Sequence, residues 1–231
     1  MHKPFEIVFE DDYIVVLNKI AKILTQPSPK NEKFTLTFLL EEKLRRKVYP
    51  CHRLDRETTG LIIYAKDVNT QRFFMEEFKK RKIEKKYIAF VKGQLAKKEG
   101  FLKDYILDRE GRLFGEKPKI AKTFYKVIEE YPPFSILMLK PLTGRTNQLR
   151  LQLAKLGHPI LGERKYAFGK DFQINFKRLA LHAYFLRFFH PKTRKRIQFK
   201  IKLPTDMKDF LDKYTPFKEN MKIKPAFLPT K

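Results

Sequence analysis

Cysteine is almost missing: Cys51 is the only one in 231 residues. No disulfide can form within the chain, and thiolate metal sites are excluded. The five histidines, His2, His52, His158, His182 and His190, show no ligand spacing. No apolar run approaches the ~20 residues that span a bilayer. The opening Met-His-Lys-Pro-Phe-Glu has no signal-peptide core. These absences imply a cytosolic setting with no structural metal. Acids are scarce as well, 26 Asp and Glu against 51 Lys and Arg, a formal charge of +25. Such an excess repels itself unless it faces a polyanion.

What is present is aromatic. Phe 22 and Tyr 10 separate the chain from a disordered basic tail. A folded, basic, aromatic-rich chain most often meets nucleic acid. The plainer reading of the charge is a thermophilic or AT-rich source that inflates Lys and Phe. The length suits one large domain or two closely fused subdomains. The expected division is a catalytic domain over 1–215, of two fused subdomains, and a basic, proline-containing tail over 216–231.

Periodicity places the elements. Glu6–Phe9 and Tyr13–Leu17 read as strands joined at Asp11-Asp12. Gln26–Lys33 reads as a loop. Thr35–Lys47 has leucines at helical spacing, and Asp67–Lys82 reads as a helix that Asp67 caps. Gly60–Ala65 and Glu84–Lys92 are expected strands. Residues 95–120 are expected to form loops around one strand near Phe101–Leu107. A hairpin is expected from Ala121–Glu129 and Phe134–Leu139, turning at Pro132-Pro133. Thr146–Leu156 is helical up to Gly157. Leu179–Phe189 and Ile197–Leu203 are strands, and Thr205 or Asp206 opens a last helix.

The chemistry concentrates in Cys51-His52-Arg53-Leu54-Asp55-Arg56-Glu57-Thr58-Thr59-Gly60. A lone acid, Asp55, sits between two arginines and runs through a turn into an apolar strand. A carboxylate in a cationic pocket stays ionised and can attack an electrophile. Taken alone, the pattern is better explained by a structural salt bridge. Two further segments shift that balance: Leu142-Thr143-Gly144-Arg145-Thr146-Asn147-Gln148-Leu149-Arg150, continuing to Gly157-His158-Pro159-Ile160-Leu161-Gly162, and Arg178-Leu179-Ala180-Leu181-His182-Ala183.

In this order and spacing the three segments resemble the RluA-type family of RNA pseudouridine synthases, over residues 12–204. The resemblance implies an α+β fold: a large bent, mostly antiparallel mixed sheet flanked by helices, with a central active-site cleft. It implies that Asp55 is the catalytic aspartate, that Arg145 ion-pairs with it, and that Tyr87 in Lys85-Lys86-Tyr87 stacks on the target base. Leu181 would lie against the uracil and Arg53 would help fill the gap left by the flipped nucleotide. His52 reads as a loop-fixing hydrogen-bonder beside the substrate. No cofactor and no metal are implied. The expected partner is structured ribosomal or transfer RNA, met in the cytoplasm by a monomer. The first strand pair already looks like the start of the catalytic fold, so a minimal synthase without an S4 module is expected.

The chain departs from the family pattern at Asn147 and Gln152, where histidines are usual, and at Glu163, where aspartate is usual. Ile20 and Ala167 depart as well. Two other classes remain open from sequence. One is a silent RNA-binding protein on the same fold. The other is a nuclease or nucleoside hydrolase, against which stands the lack of an evident second acid.

Overall fold

The computed structural model describes residues 4–27, 34–107, 117–167, 174 and 176–214. Most of the loop expected over 26–33, part of the 95–120 region and the tail expected from Pro216 lie outside the described residues. The elements are β1 (Phe5–Glu10), β2 (Ile14–Lys19), α1 (Leu36–Leu44), β3 (Tyr49–Pro50), β4 (Thr59–Ala65), α2 (Val68–Lys79), β5 (Glu84–Lys92), β6 (Glu99–Ile106), β7 (Lys119–Tyr131), β8 (Phe134–Pro141), α3 (Gln148–Lys155), β9 (Leu181–Phe189), β10 (Arg196–Lys200) and α4 (Thr205–Asp212). Ten mostly antiparallel strands and four helices among the described residues make the fold α+β, as expected.

The chain forms two compact units, Met1–Lys85 with Ala183–Ile201, and Lys86–His182 with Lys202–Lys231. In the first the strand order is β1-β2-β4-β9, with β3 on β4 and β10 on β9. Strands β2 and β4 are apolar at nearly every position and buried on both faces, so they form its centre. Their side chains join Phe74 of α2 and Phe188 of β9, whose rings meet edge to face at 5.2 Å. Burying such side chains contributes about 1.5–3 kcal/mol each. Asp67 caps α2 by accepting the Thr70 amide at 2.8 Å. The helix stops at Lys79 rather than Lys82 because Arg81 turns left-handed, φ 57°, and leads the chain out toward β5.

Gly60 enters β4 at φ +114°, and a Cβ there would lie 2.3 Å from the carbonyl oxygen of Ala183. Only glycine lets β4 and the β9 backbone approach this closely. The turn that carries Asp55 feeds directly into this point.

In the second unit the order is β5-β8-β7-β6. β7 and β8 form the expected hairpin, closed by the stacked rings of Tyr131 and Phe134 at 4.4 Å. Phe210 of α4 packs on Phe134, Phe90 and Phe176. Helix α3 begins at Gln148, two residues later than the spacing predicts, because Asn147 is left-handed at φ 54°. Strand β9 likewise begins at Leu181 rather than Leu179. The Ala180 amide and carbonyl are already spent on Leu161 and Phe90.

Candidate active site

Three anchors hold the loop that carries Asp55. The first is Lys19, fully buried at the end of β2. Its Nζ donates to the carbonyl oxygens of Ile20 (2.9 Å), Asp55 (3.3 Å), Arg56 (3.1 Å) and Thr58 (2.8 Å). The Asp55 carbonyl also accepts the Thr58 amide at 3.1 Å, closing a turn over Asp55-Arg56-Glu57-Thr58. A buried ammonium is costly unless its protons are all matched; here backbone carbonyls match them. Lys19 thus locks the main chain from Asp55 to Thr58.

The second anchor is Thr25. Its hydroxyl lies 3.2 Å from the Leu54 carbonyl and 3.3 Å from the Leu54 amide. Its own carbonyl accepts from the Tyr64 hydroxyl at 3.1 Å and the Thr37 hydroxyl at 2.7 Å. The third anchor is His52, whose Nε2 accepts the Ile63 amide at 3.1 Å. The ring proton therefore sits on Nδ1. Burial, and then the charge of Lys85, push the His52 pKa down to about 3. Lys85 lies 5.2 Å from the Phe78 ring centre, and Phe78 in turn lies 5.0 Å from the His52 ring. Burial lowers the Lys85 pKa to about 8. Arg53 is exposed and Asp55 half-buried on the same loop.

In the second unit Arg145 sits in the turn between β8 and α3. Gln148, the first residue of α3, organises that turn. Its Oε1 accepts the Arg145 amide (3.0 Å) and the Thr143 hydroxyl (2.7 Å), and its Nε2 donates to the Lys122 carbonyl and the Thr123 hydroxyl of β7. The Arg145 guanidinium Nε donates to the Ile120 carbonyl at 3.3 Å. Tyr87, 7% exposed, pairs with Leu139 in register on β5 and β8. Leu181, at the first position of β9, is buried.

Of the departures from the family pattern, Asn147 and Glu163 share Arg150 as a partner, and Gln152 bonds separately beneath α3. Glu163 receives a two-pronged pair from Arg150, Nε to Oε2 at 2.6 Å and Nη2 to Oε1 at 2.8 Å. Asn147 accepts from the same guanidinium and donates to the Tyr166 hydroxyl. Burial opposes the charge on Glu163, but the Arg150 and backbone hydrogen bonds prevail and hold its carboxyl below the usual range. Gln152 bridges Thr123, Leu102 and Ala121 beneath α3. In the third segment Arg178 pairs with Asp206 of α4 through two bonds, at 2.5 and 2.7 Å. His182 donates from Nε2 to the Lys202 carbonyl at 3.0 Å, a partner outside its own strand. Burial lowers its pKa to about 4.

Sequence reading missed Lys19, Thr25 and Gln148 as builders of the site. The signal for Lys19 was available: Asn18-Lys19 closes the apolar run Ile14-Val15-Val16-Leu17, whose strand offers a lysine little solvated face to occupy. Among the described residues no group of three or more His, Cys, Asp or Glu could hold a metal.

Residues 13–155 match the RNA pseudouridylate synthase family. Over 230 residues the chain is 35% identical to ribosomal large subunit pseudouridine synthase D of Haemophilus influenzae, covering 90% of this chain and 70% of that protein. It is 36% identical over 220 residues to tRNA pseudouridine synthase C of Haemophilus ducreyi, covering 83% and 88%. In fold it is similar to human RNA pseudouridylate synthase domain containing 4, with a TM-score of 0.73 at 22% identity over 90% of this chain and 92% of that one. The family match and these relatives thus define an RNA-modifying isomerase. The chain belongs to the RNA pseudouridylate synthase family, and within it to the RluA type.

Proposed function

We propose that this RNA pseudouridine synthase acts on uridines of ribosomal or transfer RNA, the substrates named for its relatives, with Asp55 as the catalytic carboxylate. The observation that carries this reading is the Lys19 clamp. A fully buried lysine that spends its protons on the carbonyls around one acid is a device for presenting that acid in a fixed place.

The reaction breaks the bond from ribose C1′ to uracil N1, turns the base, and joins C1′ to C5. The C5 proton leaves and N1 gains one, so nothing is oxidised and no group is added. Three routes are open to a single carboxylate: attack on C1′, attack on C6 of the base, or proton abstraction at C2′. Each needs Asp55 ionised. In this reading Arg145 supplies the guanidinium that opposes desolvation and orients both oxygens. The target base must leave its stack, at a cost of a few kcal/mol. Tyr87 returns about 1–3 kcal/mol by stacking, and its hydroxyl serves to remove the C5 proton after reattachment. Leu181 packs on the uracil, Arg53 fills the vacated position in the RNA, and His52 keeps the loop rigid beside it. No cofactor enters this scheme.

The setting we propose is the cytoplasm and the working form a monomer. No described helix is long and apolar enough to cross a membrane. The test is incubation with RNA tritiated at uridine C5. Tritium should be released by the native chain and not by Asp55→Ala. Free uracil as product would instead mark a hydrolase, and no release from any structured RNA would mark a silent binding protein.

A further inference from the structure

The β6–β7 ribbon has two unlike faces. Leu102 and Ile106 of β6, and Ala121, Thr123 and Tyr125 of β7, are buried, and α3 covers that side through Gln152. The opposite face is open. In register it presents three rows: Phe101 with Phe124, Lys103 with Lys122, and Tyr105 with Ile120. Phe101 is 59% exposed, Tyr105 71% and Ile120 37%.

Two features of this face need an occupant. Large aromatic side chains in water forgo the burial that normally accompanies them. The central row sets two lysines directly opposite each other, which is unfavourable in a strand pair. One row beyond the aromatic pair the ribbon solves the same problem ordinarily: Glu99 faces Lys126 at 3.5 Å. Among the described residues neither Lys103 nor Lys122 has an acidic partner. Lys122 instead lies over the Phe101 ring, its Nζ 4.7 Å from the centre.

We propose that this face binds an unpaired stretch of the RNA substrate, with bases stacked on Phe101 and Tyr105 and phosphates on Lys103 and Lys122. The two rings are four residues apart, about 13 Å along the strand, with the lysines midway. Alternating π faces and cations are what a single strand needs and what a duplex, its bases already stacked, does not use. The net charge of +25 favours a polyanion over a second copy of this chain. The same ribbon holds Arg145 through the Ile120 carbonyl, so RNA seated here reaches the element that supports the proposed reaction. This assignment rests on the reading that the substrate is RNA, and it adds a surface that tells paired from unpaired segments.

The test measures binding of a labelled single-stranded RNA 12-mer of mixed sequence by fluorescence anisotropy, at several salt concentrations. Each lost stacking interaction should weaken binding at least about fivefold, so Phe101→Ala with Tyr105→Ala should lose about 25-fold with little change in salt dependence. Lys103→Gln with Lys122→Gln should flatten the slope of log Kd against log salt by about 1.4. Tyr105→Phe should bind like the native chain. A fully paired hairpin should be indifferent to the aromatic substitutions. If circular dichroism shows either double variant unfolded, 5-iodouridine crosslinking of the native chain decides: a crosslink to Phe101 or Tyr105 supports the proposal and labelling elsewhere alone overturns it. Unchanged affinity and slope in folded variants would overturn it, as would native self-association that Phe101→Ala abolishes without altering RNA affinity. Asp55→Ala should keep native affinity while releasing no tritium. If the native chain released none, yet the ribbon variants still bound weakly, the reaction assignment would fall and this surface would stand.

Discussion

The ammonium of Lys19 lies 3.3 Å from the carbonyl oxygen of Asp55, and the same nitrogen reaches the carbonyls of Arg56 and Thr58. One side chain at the end of β2 therefore sets the backbone on which the candidate catalytic acid stands. Replacing it by methionine keeps the bulk but removes a donor from the part-buried Ile20, Asp55 and Arg56 carbonyls and from the buried Thr58 carbonyl, at about 1–3 kcal/mol for each left unsatisfied. Lys19→Met should lower unfolding free energy by at least about 3 kcal/mol, read from urea midpoints. In the fraction that stays folded, tritium release should drop by more than RNA binding does. A variant with native turnover would show that the clamp is dispensable.

Gly60 makes a second sharp case. Its φ of +114° and the 2.3 Å that a Cβ would leave to the Ala183 carbonyl offer no small adjustment, because both sides are backbone. Gly60→Ala should cost about 3 kcal/mol or more. Thermal unfolding should fall by several degrees, and a melting curve equal to the native one would contradict the packing described.

Acid should destabilise the fold before carboxylates titrate. His52 and His182 have folded pKa values pushed down to about 3 and about 4, from an ordinary 6.5. Below 6.5 the unfolded chain takes up protons that the folded chain refuses, so stability falls as pH falls. The slope approaches about 1.4 kcal/mol per pH unit for each histidine. The loss through His182 ends near 4, and that through His52 continues to about 3. The contribution of Glu163, whose folded pKa is depressed below 4.5, is present above that value and is lost as pH falls through the lowered one. Urea midpoints between pH 7 and pH 5 isolate the histidines. His182→Gln, which can still donate to the Lys202 carbonyl, should remove about half the slope.

Cys51 should be silent until the chain unfolds. It is 5% exposed, and burial pushes its thiol well above the ordinary range. A thiol reagent at pH 8 should react with one group per chain only in denaturant, and in native buffer at the rate of opening. Fast native labelling would show that the loop start is open.

Much of the architecture was legible because apolar spacing and caps act locally. Asp67 and Thr35 both cap the helices they precede. The β7–β8 hairpin turns at its two prolines. The two-residue strand β3 was not legible, since Tyr49-Pro50 has no periodicity and is defined only by its partner β4. The late start of α3 depends on Asn147 turning left-handed, an outcome that the Arg150 and Tyr166 bonds favour and that spacing alone does not reveal. For the candidate site, the Asp55 loop, Tyr87 and Arg145 could be picked out from motifs. Of their supports only Lys19 left a signal, as a lysine at the end of an apolar strand. Thr25 and Gln148 bond to backbone atoms of Leu54 and Lys122, 29 and 26 positions away, and such long-range hydrogen bonds leave no local signature.

The reaction proposed for this chain rests on Asp55 performing the rearrangement on an intact RNA chain. Its most direct measurement is tritium release from C5-labelled uridine in ribosomal and transfer RNA, followed for the native chain and for Asp55→Asn, which preserves size while removing the charge. The native chain should release tritium steadily and the variant none, with equal RNA affinity for both. Release by Asp55→Asn at a rate near the native one would contradict the role of Asp55.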